Sequence, residues 1–239
     1  MDWRRDADYA YCEHLDLAGW AWQFLRREPA YQADYHWFIS IWRQLEAEYG
    51  APPQRDFFRW KQDPRAWRAE AEIAACGTDV CPGENNQVLI ECWIGAKWGF
   101  RKFPIDPTIN LPEELAWREF PANVEVLTPD SVTAHPQSPE KLALGFDLSL
   151  PLPAQLEAAK QQLIAARQLR IQNGAFPPRS LREGMPLWRL QLRLLDALED
   201  GEILSTASKT LALKDPDSEA AAARAMRGAG YRRILMLGH

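Results

Sequence analysis

The sequence predicts an α+β fold, with an aromatic-rich helical N-terminal part, a small antiparallel sheet and an all-helical, helix-turn-helix-like C-terminal domain. Three observations support this prediction. Aromatic side chains recur at helical spacing near the start, the middle holds β-rich runs, and the end holds three short helical patterns. With 239 residues, 46% of them hydrophobic, the chain can form one or two domains with a proper core.

Two helices are predicted in the aromatic N-terminal segment. Seven Trp, five Tyr and four Phe lie between Trp3 and Trp67. Asp16 can cap a first helix that ends at Pro29 and whose shared face consists of Leu17, Trp20, Phe24 and Leu25. A second helix ends at Gly50 and has a stripe of Tyr35, Phe38, Trp42, Leu45 and Tyr49. Such ladders can stack nucleic-acid bases, but helical spacing in an acidic region favours a core.

The middle of the chain predicts the sheet. Residues 87–94 and 97–105 are typical of two strands joined at Gly95-Ala96, and residues 123–128 and 141–150 are typical of further strands. A sheet of about three or four strands follows. Aromatic and basic residues alternate at 98–103 as in RNA-binding sheets, but neighbouring acids favour packing against the aromatic helices.

A proline-rich stretch at residues 129–139 is the best linker candidate. It divides the chain into an N-terminal domain at 1–128, a linker and strand at 129–152, and a C-terminal domain at 153–239. The C-terminal domain begins with a basic helix to about Gln172, whose stripe consists of Leu156, Ala159, Leu163 and Ala166. Such a helix can be a subunit contact, a flank of a DNA site or a plain surface helix.

Three short helices are predicted after this basic helix. The first has a face of Leu187, Leu190, Leu194 and Leu198 and stops at Gly201, and the second spans residues 203–213. The third begins at Asp215-Pro216 and runs to Gly228 or Gly230. On it a packing side consists of Ala222, Met226 and Ala229, and Arg224 and Arg227 lie nearly opposite. This order is the outline of a helix-turn-helix unit, although an ordinary helical subdomain would look the same.

The distribution of charge points to the same end of the molecule. Residues 153–239 hold 13 Lys and Arg against 9 Asp and Glu, a balance of +4, while residues 1–152 hold 15 against 24, a balance of −9. Such asymmetry indicates that one part meets a polyanion, although a solvated surface gives the same numbers. The predicted DNA-binding residues are Arg224, Arg227, Arg232 and Arg233, flanked by Arg189, Arg193 and Lys209. Acids at positions 215, 217 and 219 would repel phosphate, so the predicted contact with DNA lies further along the last helix.

No recognised catalytic motif is present. The chain lacks a phosphate loop, a zinc-protease helix, a nucleophile elbow and a dinucleotide fingerprint, so we expect neither an enzyme nor a cofactor. Zinc is conceivable at Cys76, Cys81 and Cys92, but the second close ligand pair of a zinc knuckle is missing. There is no apolar run of membrane length and no secretory signal, so a cytoplasmic protein with free thiols is expected.

Both ends of the chain resemble one family. Residues from Trp3-Arg4 to the segment LDLAGWAWQFLRREPAY at 15–31 are similar to the N-terminal domain of proteobacterial transcriptional regulators of the RovC type. The segments GFD at 145–147, LLDA at 194–197 and GYRRIL at 230–235 are similar to the DNA-binding domain of that family. The resemblance implies a homo-oligomeric regulator that binds double-stranded DNA, an activator of type VI secretion genes and a ring-like assembly. The alternative is a non-catalytic protein-interaction adaptor whose basic end only keeps it soluble.

Overall fold

Residues 1–60 form a 3₁₀ helix and three α-helices in the computed structural model, which describes residues 1–69, 87–119, 142–172 and 180–238. These elements are the 3₁₀ helix Asp6–His14, α1 (Leu17–Leu25), α2 (Pro29–Tyr49) and α3 (Phe57–Trp60). The side chain of Asp16 caps α1 by accepting a hydrogen bond from the Gly19 backbone N–H at 2.7 Å. Gly50 follows α2 with a φ of 84°. Both predicted helices are confirmed, and α2 begins earlier than its aromatic stripe, at Pro29.

A small antiparallel sheet follows α3 and confirms the α+β class. Its strands are β1 (Trp67–Ala69) and β2 (Gln87–Leu89), with Trp67 opposite Leu89. The predicted hairpin is wrong, because the residues after β2 form a helix, α4 (Ile90–Trp98). Most residues of α4 are buried, so polar and apolar residues do not recur at the spacing that would indicate a helix in the sequence. Gly95, which was predicted as the turn, lies inside α4, where a Cβ would come within 2.0 Å of the Lys102 carbonyl oxygen.

Two further predicted strands do not extend this sheet in the described residues. Residues 142–150 contain no strand, and residues 123–128 lie outside the part of the chain that the structure describes. The linker predicted at 129–139 also lies outside it.

The chain after residue 180 is helical throughout its described part. It forms α6 (Leu181–Glu199), α7 (Leu204–Leu211), α8 (Pro216–Ala225), a π-helical turn (Met226–Gly230), α9 (Tyr231–Leu235) and a 3₁₀ turn (Met236–Gly238). The three predicted short helices are confirmed as α6, α7 and α8, and Gly201 follows α6 with a φ of 80°. The prediction that the third helix ends at Gly228 or Gly230 is wrong. The backbone of Gly230 is right-handed helical, and the chain continues through the π turn into α9.

The helices after residue 180 share their core with α1. The Trp20 ring lies against the Trp188 ring with centroids 5.5 Å apart, and α9 packs along α1. Met1–Phe120 and Ser180–His239 therefore form one compact unit, and Pro121–Arg179 form another. This spatial division differs from the boundaries predicted at residues 128 and 152. The three functional domains that those boundaries define stay a prediction.

The second unit contains the predicted basic helix, α5 (Leu152–Gln172). The first turn of α5 is bound to the preceding segment through Gln155. The Gln155 side chain accepts a hydrogen bond from the Asp147 N–H and donates one to the Asp147 carbonyl, both at 2.8 Å. None of the α5 residues is buried, and Leu156 and Leu163 are 57% and 49% exposed. Among the described residues, no helix has both the length and the apolar character needed to cross a membrane.

Candidate nucleic-acid interface

The short helices α7 and α8 are supported by α6. Both short helices pack against α6 and against each other. α7 buries Ala207 and Leu211 in these contacts, and α8 buries Ala220 and Ala223. Because three of these four side chains are methyl groups, the short helices can approach α6 closely.

The turn between α7 and α8 is fixed by local hydrogen bonds. Ala212 ends α7 in the left-handed conformation, with a φ of 53°. Asp215 begins α8 by accepting a hydrogen bond from the Ser218 N–H at 3.2 Å. The Glu219 side chain reaches back and accepts hydrogen bonds from the Lys214 N–H at 3.0 Å and the Asp215 N–H at 3.3 Å. The acids at the start of α8 therefore have a structural use, and the start predicted at Asp215-Pro216 is confirmed.

Three of the seven predicted DNA-binding side chains are exposed. They are Lys209 on α7, Arg224 on α8 and Arg233 on α9. Within the described part of the chain, the side chains of Lys209 and Arg224 take part in no hydrogen bond or ion pair. Lys209 and Arg224 thus bring two exposed positive charges to the α7–α8 pair, and Lys214 in the turn is exposed as well.

Arg189 and Arg193 face the N-terminal 3₁₀ helix. Arg189 forms ion pairs with Asp6 at 2.8 Å and with Glu13 at 3.2 Å. Arg193 forms an ion pair with Asp6 at 3.0 Å and donates from Nε to the Trp3 carbonyl at 2.9 Å. The two arginines lie together around Asp6, where their ion pairs and hydrogen bonds link α6 to the start of the chain.

Arg227 and Arg232 also contact other elements. Arg227 pairs with Glu28 at 3.1 Å, and Arg232 donates to the Lys97 carbonyl at 2.6 Å.

The packing side predicted for the last helix is wrong at two of its three positions, since only Met226 packs against the core. Ala222 and Ala229 are exposed, whereas Ala220 and Ala223 are buried, and Arg227 faces Glu28 at the start of α2. A helix with alanine on every side has no hydrophobic contrast that would show which side packs.

A buried ion pair that no pattern in the sequence indicates joins the turn after α1 to α6. The Arg27 guanidinium, with a 6% exposed side chain, contacts Asp196 through Nε at 2.5 Å and through Nη2 at 2.9 Å. The Tyr9 hydroxyl donates to the same carboxylate. Burial alone would lower the pKa of Arg27, but the bonds to Asp196 outweigh it and raise that pKa above its usual value. Burial and the nearby Asp196 charge raise the pKa of Tyr9.

This ion pair connects two of the segments that carry the family resemblance. Arg27 belongs to the segment at 15–31, and Asp196 belongs to the LLDA segment at 194–197. Tyr231 of the GYRRIL segment is buried as well, and its hydroxyl donates to the Trp98 carbonyl at 2.9 Å. An arginine beside a predicted helix end is ordinarily exposed, so the pattern alone carried no signal that Arg27 is buried.

The described residues contain no cluster of three or more His, Cys, Asp or Glu side chains that could hold a metal ion. Cys92 of the conceivable zinc site is buried in α4. Cys76 and Cys81 lie outside the described residues.

Comparison with protein families gives one match. Residues 2–61 match a family model described as a proteobacterial transcriptional regulator-like domain. Comparisons with curated proteins and with solved structures gave no match. The matched residues cover the 3₁₀ helix, α1, α2 and α3, and they support a role in transcription regulation. The RovC type and the C-terminal DNA-binding domain stay predictions from the resemblance.

Proposed function

We propose that this chain, whose residues 2–61 match a transcriptional regulator-like domain, is a cytoplasmic transcription regulator that binds specific double-stranded DNA sequences without catalysis or a cofactor. The observation that carries the proposal is the α7–α8 pair. It combines a short turn, support from α6 and exposed cations on the same two helices.

The contact with DNA is assigned first to Lys209, Arg224 and Arg233. All three side chains are exposed, so they can reach a phosphate from the surface. Asp217 and Glu219 lie at the start of α8, so the phosphate backbone would meet the helix near Arg224 rather than at its first turn.

The other four predicted cations are assigned to a second rank. Arg189, Arg193 and Arg227 have carboxylate partners, and Arg232 binds a backbone carbonyl. Binding of these side chains to DNA would have to replace those contacts. Their internal use is also the specific observation that favours the adaptor alternative, in which the basic end holds the fold together and keeps it soluble.

A homo-oligomer is part of the proposal, because two or three exposed cations per chain give few phosphate contacts. Helix-turn-helix proteins commonly place two units in successive major grooves, about 34 Å apart. Leu152, Leu156, Ala159 and Leu163 follow alternating spacings of four and three along α5, which is the spacing of a helix–helix seam. Many N-terminal aromatic side chains are buried in the core, so we assign the contact between subunits to α5 rather than to the aromatic N-terminal region.

Light scattering at micromolar concentration, with and without DNA, tests this assembly. We expect an oligomer that Leu156→Glu/Leu163→Glu dissociates, while Glu157→Ala/Lys160→Ala on the same helix leaves it intact. A monomer under both conditions would disprove the oligomer.

The DNA test is a binding titration on the DNA upstream of the protein's own gene, at several salt concentrations. Each neutralised phosphate adds about 0.9 to the slope of log affinity against log salt, so Lys209→Ala/Arg224→Ala should lower the slope by roughly two per bound subunit. Arg43→Ala/Arg101→Ala removes the same charge from exposed arginines outside α6–α9 and should leave the slope unchanged. If the two side chains contact bases, specificity should fall at a constant slope.

A folded Lys209→Ala/Arg224→Ala/Arg233→Ala variant with unchanged affinity, slope and specificity would favour the adaptor. Activation of type VI secretion genes rests on the resemblance alone. Transcript levels of such genes in a deletion strain, compared with a strain that carries the triple variant, would test it.

A further inference from the structure

Three phenylalanine rings are exposed at one end of the aromatic N-terminal region. Phe57 and Phe58 begin α3 and are 44% and 76% exposed, and Phe103, which follows α4, is 46% exposed. A single apolar side chain at a surface is ordinary, but a group of them marks a contact with another molecule. Together with the exposed Lys61 and Lys102, these three side chains are called the phenylalanine–lysine surface.

One tryptophan ring joins the two parts of this surface. The Trp42 ring of α2 lies 4.9 Å from the Trp60 ring of α3 and 5.2 Å from the Phe103 ring, measured between centroids. The Arg55 guanidinium lies over both indoles, 4.4 Å from Trp42 and 3.7 Å from Trp60. Because α3 and Phe103 pack against the same buried ring, the exposed phenylalanines belong to one region of the molecule.

The two lysines of this surface lie over aromatic rings. Lys61 Nζ is 4.8 Å from the Phe57 ring centroid, and Lys102 Nζ is 5.3 Å from that of Phe103. Neither ammonium group forms a hydrogen bond or an ion pair with a residue that the structure describes. Lys102 also acts on the Glu91 carboxyl through its charge, but Glu91 is buried. Both ammonium groups can therefore accept an anionic partner from outside.

The carboxylates next to α3 are already engaged. Asp56 accepts a hydrogen bond from the Arg59 N–H at 3.1 Å and so caps α3, and Glu46 pairs with Arg55 at 3.4 Å. Asp63 binds the Tyr49 hydroxyl at 2.9 Å and also pairs with Arg65. The phenylalanine–lysine surface thus combines apolar rings with positive charge, which is complementary to an acidic and apolar partner.

The contacts of the lysines favour a peptide over the other anionic partners. Single-stranded nucleic acid stacks bases on ring faces, but an ammonium group already lies over one face of Phe57 and one of Phe103. A peptide carboxylate can pair with these ammonium groups where they lie, while a neighbouring apolar side chain packs against the rings. A membrane surface is typically bound by a long amphipathic helix, and α3 has 4 residues.

We propose that the phenylalanine–lysine surface binds an acidic peptide segment of another protein, in which large apolar side chains stand next to the carboxylates. This surface lies outside α6–α9, so the inference goes beyond DNA binding and does not depend on it.

The test is fluorescence anisotropy of labelled probes mixed with the full chain, without DNA. Two acidic apolar peptides repeat Glu-Glu-Leu or Glu-Glu-Phe. Their controls carry Ser in place of the Leu or Phe, or Lys in place of the Glu. A labelled oligo-dT strand represents nucleic acid, and co-sedimentation with phosphatidylglycerol-containing vesicles represents a membrane.

We expect at least one acidic apolar peptide to bind roughly tenfold or more tightly than its Ser and Lys counterparts, since burying one large apolar side chain contributes about 1.5 to 3 kcal/mol. Phe58→Ser should weaken this binding roughly threefold or more. As a matched control, Phe146→Ser removes another exposed phenylalanine, outside the surface, and should bind like the wild type.

The charge contribution has its own pair of variants. Lys61→Gln/Lys102→Gln should weaken binding of the acidic apolar peptide roughly threefold or more. Lys209→Gln/Arg224→Gln removes the same charge from α7 and α8 and should bind the peptide like the wild type. Melting curves report whether each variant is folded.

The proposal is overturned if neither acidic apolar peptide binds, or if the Ser or Lys peptides bind as tightly. It is also overturned if folded Phe58→Ser and Lys61→Gln/Lys102→Gln bind the peptide unchanged, or if both control variants lose as much affinity. Binding of oligo-dT or vesicles that these surface variants abolish, without peptide binding, would assign the surface to nucleic acid or membrane instead.

Discussion

The buried pair of Arg27 and Asp196 gives the sharpest prediction about the fold. Replacing Asp196 by Ala would leave the Arg27 guanidinium, which has a 6% exposed side chain, without its carboxylate. Removing one partner of a buried ion pair costs about 3 to 5 kcal/mol, because the remaining charge stays desolvated. For a domain of about 150 to 250 residues, each kcal/mol lowers the melting temperature by roughly 2 to 4 °C. We therefore expect Asp196→Ala to melt about 6 to 20 °C below the wild type.

A matched control comes from a second ion pair that also joins the N-terminal segment to the region after residue 180. Arg4 and Glu202 are 2.8 Å apart, but the Arg4 side chain is 52% exposed. Exposed pairs contribute about 0 to 1 kcal/mol, so Glu202→Ala should melt within a few degrees of the wild type. Thermal unfolding followed by far-UV circular dichroism would measure both differences.

Replacing both partners distinguishes a cost of charge burial from a loss of packing. Arg27→Met/Asp196→Leu leaves no unpaired charge, so it should be more stable than Asp196→Ala. Equal stability of Asp196→Ala and Glu202→Ala would refute the reasoning, since it would mean that water reaches Arg27 in the folded protein.

Three further predictions concern other parts of the core. Gly95→Ala should be strongly destabilising in thermal melts, because its Cβ would lie 2.0 Å from the Lys102 carbonyl oxygen. As a control, the Cβ of Gly228→Ala would meet open space, so this variant should be as stable as the wild type or more stable. Burial raises the pKa of Tyr11 to about 12. The neutral hydroxyl therefore stabilises the folded protein fully below about pH 10, and this stabilisation is lost as the pH rises towards 12. Urea unfolding above and below about pH 10 should show the loss in the wild type and a smaller loss in Tyr11→Phe. Burial likewise raises the pKa of Glu91, so the wild type loses stability as the pH rises through that pKa. Glu91→Gln should therefore be more stable than the wild type at neutral pH, and this gain in stability should shrink towards about pH 4. A Glu91→Gln protein less stable than the wild type at neutral pH would contradict this.

Local signals in the sequence predicted much of the helical structure. The caps at Asp16 and Asp215 and the stop at Gly50 act through neighbouring residues, so they can be recognised without the fold. The helix α4 was mistaken for a hairpin because a short apolar run, buried on most sides, has no contrast between its faces.

The candidate interface was predictable only in its outline. The exposure of Arg224 follows from helix geometry, but the partners of Arg189 and Arg227 lie far away in the sequence, at Asp6 and Glu28. No local pattern shows whether an arginine meets solvent or a distant carboxylate. For the same reason the pairing of Arg27 with Asp196 became visible only in three dimensions.

The closure of the core by distant parts of the chain has a consequence for biosynthesis. Arg27 and Asp196 are separated by 169 residues, so α1 emerges from the ribosome long before α6. Until then Trp20 lacks the Trp188 ring that covers it, and such exposed aromatic surface favours aggregation or capture by chaperones. Residues 121–179 connect the two parts of this unit along the chain, and doubling the length of a flexible connection adds only about 0.6 kcal/mol to the cost of closing it. Insertions between residues 121 and 179 should therefore slow the meeting of the two halves more than they weaken the finished domain.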